Sequence, residues 1–427
     1  MSEKLYEFRD PVHGFIYVRP LELKLIDSFP FQRLRNIKQL AFSHYIYHGA
    51  EHSRFGHSLG VMHLVTRAFN TVTEKTKIFD IATKEWYTQI LRIIALVHDL
   101  GHAPFSHASE ELLPDGFSHE DYTHMIVTQT EVADCISEIG EWFKKQYGEE
   151  YDITPELISS IYKGENIENP DFIFLKKFMD SELDCDKMDY LLRDSLYCGV
   201  SYGKFDLERL INTLTVWENE EGVLYLAIEK GGMHAFEEFV LARYFMFTQV
   251  YFYKTRRFLD NALLYFLKGV LPNGKYPEDI QEFLKYDDIY VLELMKQNIK
   301  QNEWAERILK RKILSKVYET PVHASEKDQQ IFNLVKNNLV ERIGEEYLIL
   351  DSADKLVHQM PVRYELDSEK AIPVITENDK KVIPVSVASE VIRKMTEPIN
   401  IKRIYVYEDK KEEAIKIVNE MMEKMSK

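Results

Sequence analysis

The chain has 427 residues, 45% of them apolar and 29% charged, with a net charge of −16 at pH 7. That composition suits a soluble globular protein with one large core and a smaller lobe, and the negative balance argues against nucleic acid or an anionic membrane surface as partner. The opening MSEKLYEF holds no apolar signal core, no later run reaches bilayer length, and Cys135, Cys185 and Cys198 form an odd set without metal-finger spacing, which reads as reduced thiols of a cytoplasmic protein.

In chain order, residues 1–20 predict a short extended arm that turns at His13 and Gly14. Residues 21–40 predict helix broken at Phe29 and Pro30, and residues 59–75 and 84–99 predict long amphipathic helices. In the last of these, Ile90, Ile93, Ile94 and Val97 recur at helical spacing and the face ends on His98 and Asp99; Gly101 and Pro104 stop the helix just beyond. Thr154 and Pro155 read as a helix cap and first turn. The runs TLTVW and VLYLAI flank Glu220, Glu221 and Gly222 and predict a hairpin over residues 214–228. Residues 233–271, rich in Phe and Tyr, predict one very long helix.

From about residue 310 the short β-type runs KILSKVYE, EYLILD, KKVIPVSV and KRIYVYE alternate with helical segments such as residues 328–342, and an amphipathic helix over Lys411–Met425 closes the chain. The expected fold is mostly α, with a helical core and short β-hairpins over residues 1–310 and a smaller C-terminal α+β lobe over residues 311–427. No internal repeat or low-complexity tract interrupts it.

Burying the ionisable His98-Asp99 pair is costly unless something compensates it. A helix-end salt bridge is one compensation, and a divalent cation is another, because imidazole and carboxylate are ordinary ligands for such ions. Neighbouring side chains on a helix diverge, so these two converge on one ion only at the helix end, with other helices closing the far side.

The stretch HDLGHAPFSH (residues 98–107), together with HSRFGHSLGV (52–61) and DCDKMDYLLRDSLYCGV (184–200), resembles the HD-domain phosphohydrolases. More narrowly, it resembles the deoxynucleoside triphosphate triphosphohydrolases related to the sterile-alpha-motif/HD protein, with no sterile-alpha-motif domain expected in front. The likeness starts at DPVHG (10–14), runs through FQRLRNIKQL (31–40) and reaches ARYFMFTQVYFYK (242–254). It implies an HD-domain helical core and four metal ligands, His57, His98, Asp99 and Asp186. Asp184 and Asp189 compete with Asp186 by composition, and the family pattern DxDK selects the second Asp, followed by Lys187. One divalent ion per site is implied, from among iron, manganese, nickel, zinc and magnesium, with room for magnesium on the nucleotide. Gly56 stands where the family usually carries Glu.

By the same resemblance His107 and His119 match two catalytic histidines, and Glu110 stands where relatives carry Asp. When water attacks an α-phosphorus the departing 5′ oxygen needs a proton, which a His oriented by a carboxylate can supply. The implied roles are His107 as acid, Glu110 as its orienting carboxylate and His119 as support for the phosphate or the acid. His102 and His124 leave open a second metal, as in two-metal HD phosphodiesterases, although the spacing fits the single-metal branch better.

A triphosphate needs several fixed cations. Arg54 lies three residues before His57, and Lys187, Tyr190 and Asp194 fall on one helical face. Arg243 matches the family's phosphate-binding Arg and Tyr251 its sugar-packing Tyr. Gln39 and Asp194 are implied to hold the 3′ hydroxyl, while Leu40 and Tyr251 crowd the 2′ position and favour deoxyribose. Phe252 replaces a base-binding Gln.

Relatives assemble as homotetramers with activating nucleotides at their interfaces. Asp27, Gln32 and Arg35 match the residues that recognise a guanine activator, whereas Tyr6 and Phe15 replace a basic residue and an imidazole there. The basic run at residues 254–257 serves activator phosphates or solvates a helix. The expected activity is hydrolysis of a dNTP to the deoxynucleoside and inorganic tripolyphosphate, with activation by GTP or dGTP, in a homotetramer or other homo-oligomer without membrane or nucleic-acid partners. Two alternatives stay open. One is hydrolysis of a cyclic nucleotide or an alarmone, although the acidic pair usual after HD in alarmone hydrolases is missing. The other is a nucleotide-sensing regulatory protein with little turnover.

Overall fold

Asp10 begins the fold by closing a tight turn. Its Oδ1 accepts the backbone N–H groups of Val12 and His13, each at 2.9 Å, and Gly14 takes φ +78°, a left-handed conformation that glycine adopts without strain. This turn joins β1 (Tyr6–Asp10) and β2 (Gly14–Val18) into the antiparallel arm that the sequence predicts. Ile16 and Val18 are buried, while Phe15 and Tyr17 face outward. The computed structural model describes residues 4–360, 366, 370–376 and 381–425.

Helices α1 (Pro20–Asp27) and α2 (Phe29–Arg33) meet at Ser28, just before the expected break, since Phe29 and Pro30 open the second helix, where Pro lacks only an N–H that has no helical partner. Helix does not continue to residue 40. The Lys38 N–H donates to Asp288 Oδ2 and the Gln39 N–H to the His52 carbonyl, so the chain leaves the helical path to pair with a distant loop. Helices α3 (Arg54–Thr76) and α4 (Ile81–Val97) form the centre of the core through Val61, Leu64, Val65, Ala68 and Phe69 on one and Leu91, Ile93, Ile94 and Val97 on the other. Helix α3 starts five residues before the apolar periodicity, because Arg54, His57 and Ser58 are themselves buried.

The next elements are α5 (His119–Gln129), α6 (Glu131–Tyr147), α7 (Pro155–Lys163), α8 (Pro170–Lys176), α9 (Cys185–Cys198) and α10 (Leu207–Asn212). Thr154 caps α7 as expected, its hydroxyl accepting the Leu157 N–H. The hairpin of β3 (Leu214–Glu218) and β4 (Leu224–Glu229) sets Leu214 opposite Ile228, also as expected.

The very long helix is not one helix. It runs as α11 (Met233–Met246), widens into a π turn over Phe247–Tyr251, and resumes as α12 (Lys254–Val270) after Tyr253 turns extended. The Phe252 N–H closes the wide turn on the Phe247 carbonyl, and the Tyr251 hydroxyl donates to Asp194 at 2.7 Å. Reaching that carboxylate costs regular helix geometry, which is the usual setting of a π turn.

Helices α13 (Ile280–Phe283), α14 (Asp288–Asn298) and α15 (Glu303–Leu309) lead to β5 (Ser315–Glu319), α16 (Glu326–Ile343), β6 (Leu348–Lys355), β7 (Pro373–Ile375), β8 (Val382–Pro384), α17 (Val385–Ala388), α18 (Glu390–Lys394), β9 (Ile399–Val406) and α19 (Lys411–Met425). The run KKVIPVSV turns helical after Pro384, and its first residue lies outside the described residues. Strand β9 lies between β5 and β6, antiparallel to both. Its alternation splits two cores: Ile404 and Val406 join α16 and α19, while Ile399, Ile401 and Tyr405 join the main core. Strands β7 and β8 instead extend the β3–β4 hairpin, with β7 parallel to β4. The fold is mostly helical with a few small sheets, and among the described residues no helix is long and apolar enough to cross a membrane.

Candidate active site

Three helix ends converge. Helix α3 brings Arg54 and His57 in its first turn, α4 ends on His98 and Asp99, and α9 brings Asp186 and Lys187 in its first turn. His57 Nε2 lies 3.4 Å from His98 Nε2 and 2.9 Å from Asp186 Oδ1, and Asp186 Oδ1 is 3.7 Å from His98 Nε2. Asp99 Oδ2 is 3.7 Å from His57 Nε2, and Asp99 Oδ1 is 3.4 Å from His98 Nε2. The far ring nitrogens are already engaged: His57 Nδ1 meets Asp189 Oδ2 and His98 Nδ1 the Ala95 carbonyl, each at 2.8 Å. Those contacts turn both Nε2 atoms inward, the usual outer support of a metal-ligating histidine. Asp99 Oδ2 is buried without a hydrogen bond, since Arg54 Nη1 lies 2.7 Å away but off the line of one. Two inward imidazoles with a carboxylate close enough to share one ion with them fit a divalent cation. The C-terminus of α4 adds negative potential for that ion, and the N-termini of α3 and α9 favour an anion beside it.

The three candidate aspartates separate by position. Asp184 caps α9, accepting the Lys187 N–H and pairing with the Lys187 ammonium. Asp189 lies behind His57, where it also pairs with Arg193 and with His13 at 2.6 Å. A Cβ on Gly60 would sit 1.9 Å from Asp189 Oδ1, so only a glycine lets α9 come this close to α3. Asp186 alone of the three faces both His57 and His98. Burial would lower the His57 pKa, but Asp186 and Asp189 raise it to about 10. Burial would raise Asp99, but Arg54, His98 and His102 hold it well below the usual carboxylate range.

Glu110 gathers a second group. Its Oε2 is 2.9 Å from His107 Nδ1, and its Oε1 is 3.0 Å from His102 Nδ1 and 3.3 Å from His119 Nδ1. The His102 and His119 rings stack at 4.3 Å. Burial would raise the Glu110 carboxyl, yet His107, His102 and His119 hold it far below its ordinary range. Burial and the nearby Arg54 and His119 push His102 down to about 4, so it is neutral at pH 7. His119 is raised, because Glu110 outweighs its burial. His102, His107 and Glu110 lie close enough to share one ion. His124 does not join them, since its Nδ1 bonds Ser159 Oγ at 2.6 Å. The loop before this group is strained: Phe105 and Ser106 take φ +57° and +56°, and Asp288 holds the Phe105 N–H at 2.6 Å.

A cavity of about 500 Å³ opens over both groups. His57, His98, Asp99, His107, His119 and Asp186 line it with Arg54, Lys187, Tyr190, Asp194 and Arg243, and with Gln39, Leu40 and Tyr251. Gln39 Oε1 and Arg243 Nε are buried without partners. Asp194 accepts from Tyr251 and lies 2.8 Å from His52 Nε2. Asp27, Gln32 and Arg35 lie outside this lining, on a surface where Arg35 Nε donates to Gln32 Oε1 and its guanidinium covers Phe55 at 3.6 Å.

Sequence reading missed four contributors. His13 and Arg193 support Asp189, His52 supports Asp194, and Lys355 enters the cavity from β6. Arg193 carried a signal, lying four residues after Asp189 on the same helical face. The partners from distant segments carried none.

Comparison with known proteins places these features. Residues 54–170 match the HD domain, and residues 205–425 match the HD associated region. The chain is 38% identical over 252 residues to the uncharacterized protein YwfO of Bacillus subtilis, spanning 58% of this chain and 52% of that protein. It is 33% identical over 229 residues to the deoxynucleoside triphosphate triphosphohydrolase SAMHD1 of Gallus gallus, spanning 49% of this chain and 37% of that one. The chain thus covers about half the length, or less, of these two relatives. A crystal structure of a hypothetical protein from Aquifex aeolicus superposes with a TM-score of 0.79 at 34% identity, covering 97% of this chain and all of that one.

Proposed function

The chain belongs to the family that joins an HD domain to an HD associated region, and from that premise we propose that it hydrolyses deoxynucleoside triphosphates to the deoxynucleoside and inorganic tripolyphosphate. One observation carries the reading: a metal-type donor set, a carboxylate-oriented histidine and a set of cations line a single cavity of ligand size.

His57, His98, Asp99 and Asp186 would hold one divalent cation, whether iron, manganese, nickel, zinc or magnesium. When bound, such an ion supplies Lewis acidity to a phosphoryl oxygen and acidifies water. Arg54, Lys187 and Arg243 take the phosphates, with the option of magnesium on the nucleotide. His107 gives its proton to the departing 5′ oxygen, Glu110 orients that ring, and His119 steadies the carboxylate from the other side. Gln39 and Asp194 receive the 3′ hydroxyl, and Tyr190 lines the phosphate end. Leu40 and Tyr251 fill the space a 2′ hydroxyl needs.

Asp27, Gln32 and Arg35 form a regulatory surface for a guanine nucleotide, on a homotetramer or other homo-oligomer. Three cysteines without a disulfide support a cytoplasmic setting. Incubating the protein with each dNTP and manganese, then separating products by anion exchange, tests the activity. Tripolyphosphate and deoxynucleoside in equal amounts are expected. Diphosphates or monophosphates would move the cut away from the α-phosphorus, and saturable binding without product under any metal would make the protein a nucleotide sensor. Native mass measurement with and without dGTP tests the assembly.

A further inference from the structure

Strand β6 ends on Lys355, and this side chain lines the same cavity as His57, His98 and Asp186, although it comes from the C-terminal part of the chain. The other cations of that lining each have a carboxylate within 4.0 Å: Arg54 has Asp99, Lys187 has Asp184, Arg243 has Glu182, and Arg257 has Asp351. Arg256 and Lys176 have Asp260 and Asp180. Lys355 has none among the described residues. Its acidic neighbour, Asp354, is taken up by the Ser352 hydroxyl at 2.9 Å. Lys355 Nζ lies 5.6 Å from the Phe247 ring centroid and the Arg243 guanidinium 5.8 Å from the same ring, and Lys187, Arg243 and Lys355 together line the opening beside it. Lys355 is exposed at the mouth of the cavity; partial desolvation of its ammonium, then Arg243 and Lys187, lower its pKa, and Glu182 acts against them from beyond ion-pair distance. Lys187 and Arg243 have their own carboxylates, so within this cluster only Lys355 has none in ion-pair contact among the described residues.

We infer that Lys355 contacts the phosphate tail of the substrate beyond Lys187 and Arg243, so that the HD associated region completes the triphosphate site and distinguishes triphosphates from shorter phosphates. The inference rests on the triphosphohydrolase reading for its substrate, but the contact itself is tested without turnover. Inorganic tripolyphosphate and a deoxynucleoside are titrated separately into the wild type, Lys355→Ala and Lys355→Arg.

The alanine variant is expected to bind tripolyphosphate about tenfold more weakly, as follows from losing one charge-assisted contact. Its deoxynucleoside affinity stays unchanged, and the arginine variant keeps wild-type affinity for both. In turnover, KM for a dNTP rises by a similar factor while kcat holds, the sign of lost uniform binding. Equal tripolyphosphate affinity in the alanine variant and the wild type overturns the inference, as does a loss confined to the deoxynucleoside, which would put Lys355 at the base. A wild type that binds no tripolyphosphate overturns it as well. A wild type that binds tripolyphosphate through Lys355 yet cleaves no dNTP removes the activity and leaves the contact standing.

Discussion

Asp189 touches no site for substrate, yet its carboxylate meets His57, His13 and Arg193 at once. In Asp189→Asn all four proposed ligands remain, while the support behind His57 and the charge opposite buried Arg193 are lost. Metal affinity should fall about 10–100-fold, as outer-shell changes generally do, and calorimetric titration with manganese reads it. Undiminished affinity would detach Asp189 from the metal centre. Glu110→Gln tests the second group. If Glu110 only orients His107, kcat should fall about 10²–10⁴-fold, the range for general acid–base catalysis, with metal content unchanged by elemental analysis. A parallel loss of metal would instead give Glu110, His102 and His107 a cation of their own. At this scale the sequence was most legible where the chemistry is contiguous: the run from His98 to Glu110 and the DxDK pattern name residues that fall around one cavity or beside it. It was least legible for His13 and His52, whose partners lie 176 and 142 residues away along the chain, and for Lys355, which reaches the cavity from a distant strand, so that only the folded geometry brings them in.

The arm, α1 and α4 are joined by one buried ion pair. Glu22 accepts Arg92 Nε and Nη2, each at 2.6 Å, and Gln89 Nε2 at 2.9 Å, while Arg92 Nη2 also donates to the Tyr17 carbonyl of β2. Burial would raise the Glu22 pKa, but Arg92 and Arg19 hold it below its ordinary value. A carboxyl depressed in the folded state contributes stability that is fully present above the unfolded pKa of about 4.3 and is lost as pH falls through the folded value. Glu22→Gln should therefore cost about 3–5 kcal/mol at pH 7, the range for unpairing a buried charge. The gap in Tm between variant and wild type should stay level above roughly pH 5 and narrow below about pH 4, where the unfolded chain takes up the proton that the folded carboxylate still resists. A gap independent of pH would assign the loss to packing. Elements of this kind were read well where periodicity or a cap marks them, as at Thr154, the β3–β4 hairpin and α19. The π turn before Phe252 was not, because it accompanies a contact with the distant Asp194 carboxylate and no Gly or Pro marks the spot.

That turn is also where the C-terminal sheet meets the cavity. Asp351 of β6 accepts Arg257 of α12 at 2.7 Å and Arg403 of β9 at 3.1 Å, and Arg403 Nη2 donates to the Phe252 carbonyl at 2.7 Å. The chain thus binds Tyr251 from two sides, by Asp194 of the helical core and by a buried ion network reaching from the sheet through its neighbour Phe252. If the pocket depends on both, weakening the sheet side must show in substrate affinity and not only in stability. Asp351→Asn leaves Arg403 with Glu319 and Arg257 with the more distant Asp260, which should cost about 1.5–3 kcal/mol, the range for a hydrogen bond to a charged group, and lower Tm. Well below that Tm, the proposed function predicts that KM for a dNTP still rises with a smaller change in kcat, because Tyr251 lies on the proposed sugar side of the cavity while His107 and the proposed metal ligands come from other segments. A lowered Tm with KM unchanged would make the network a clamp on the fold alone, leaving Asp354 and Lys355 as the residues of β6 that reach the cavity.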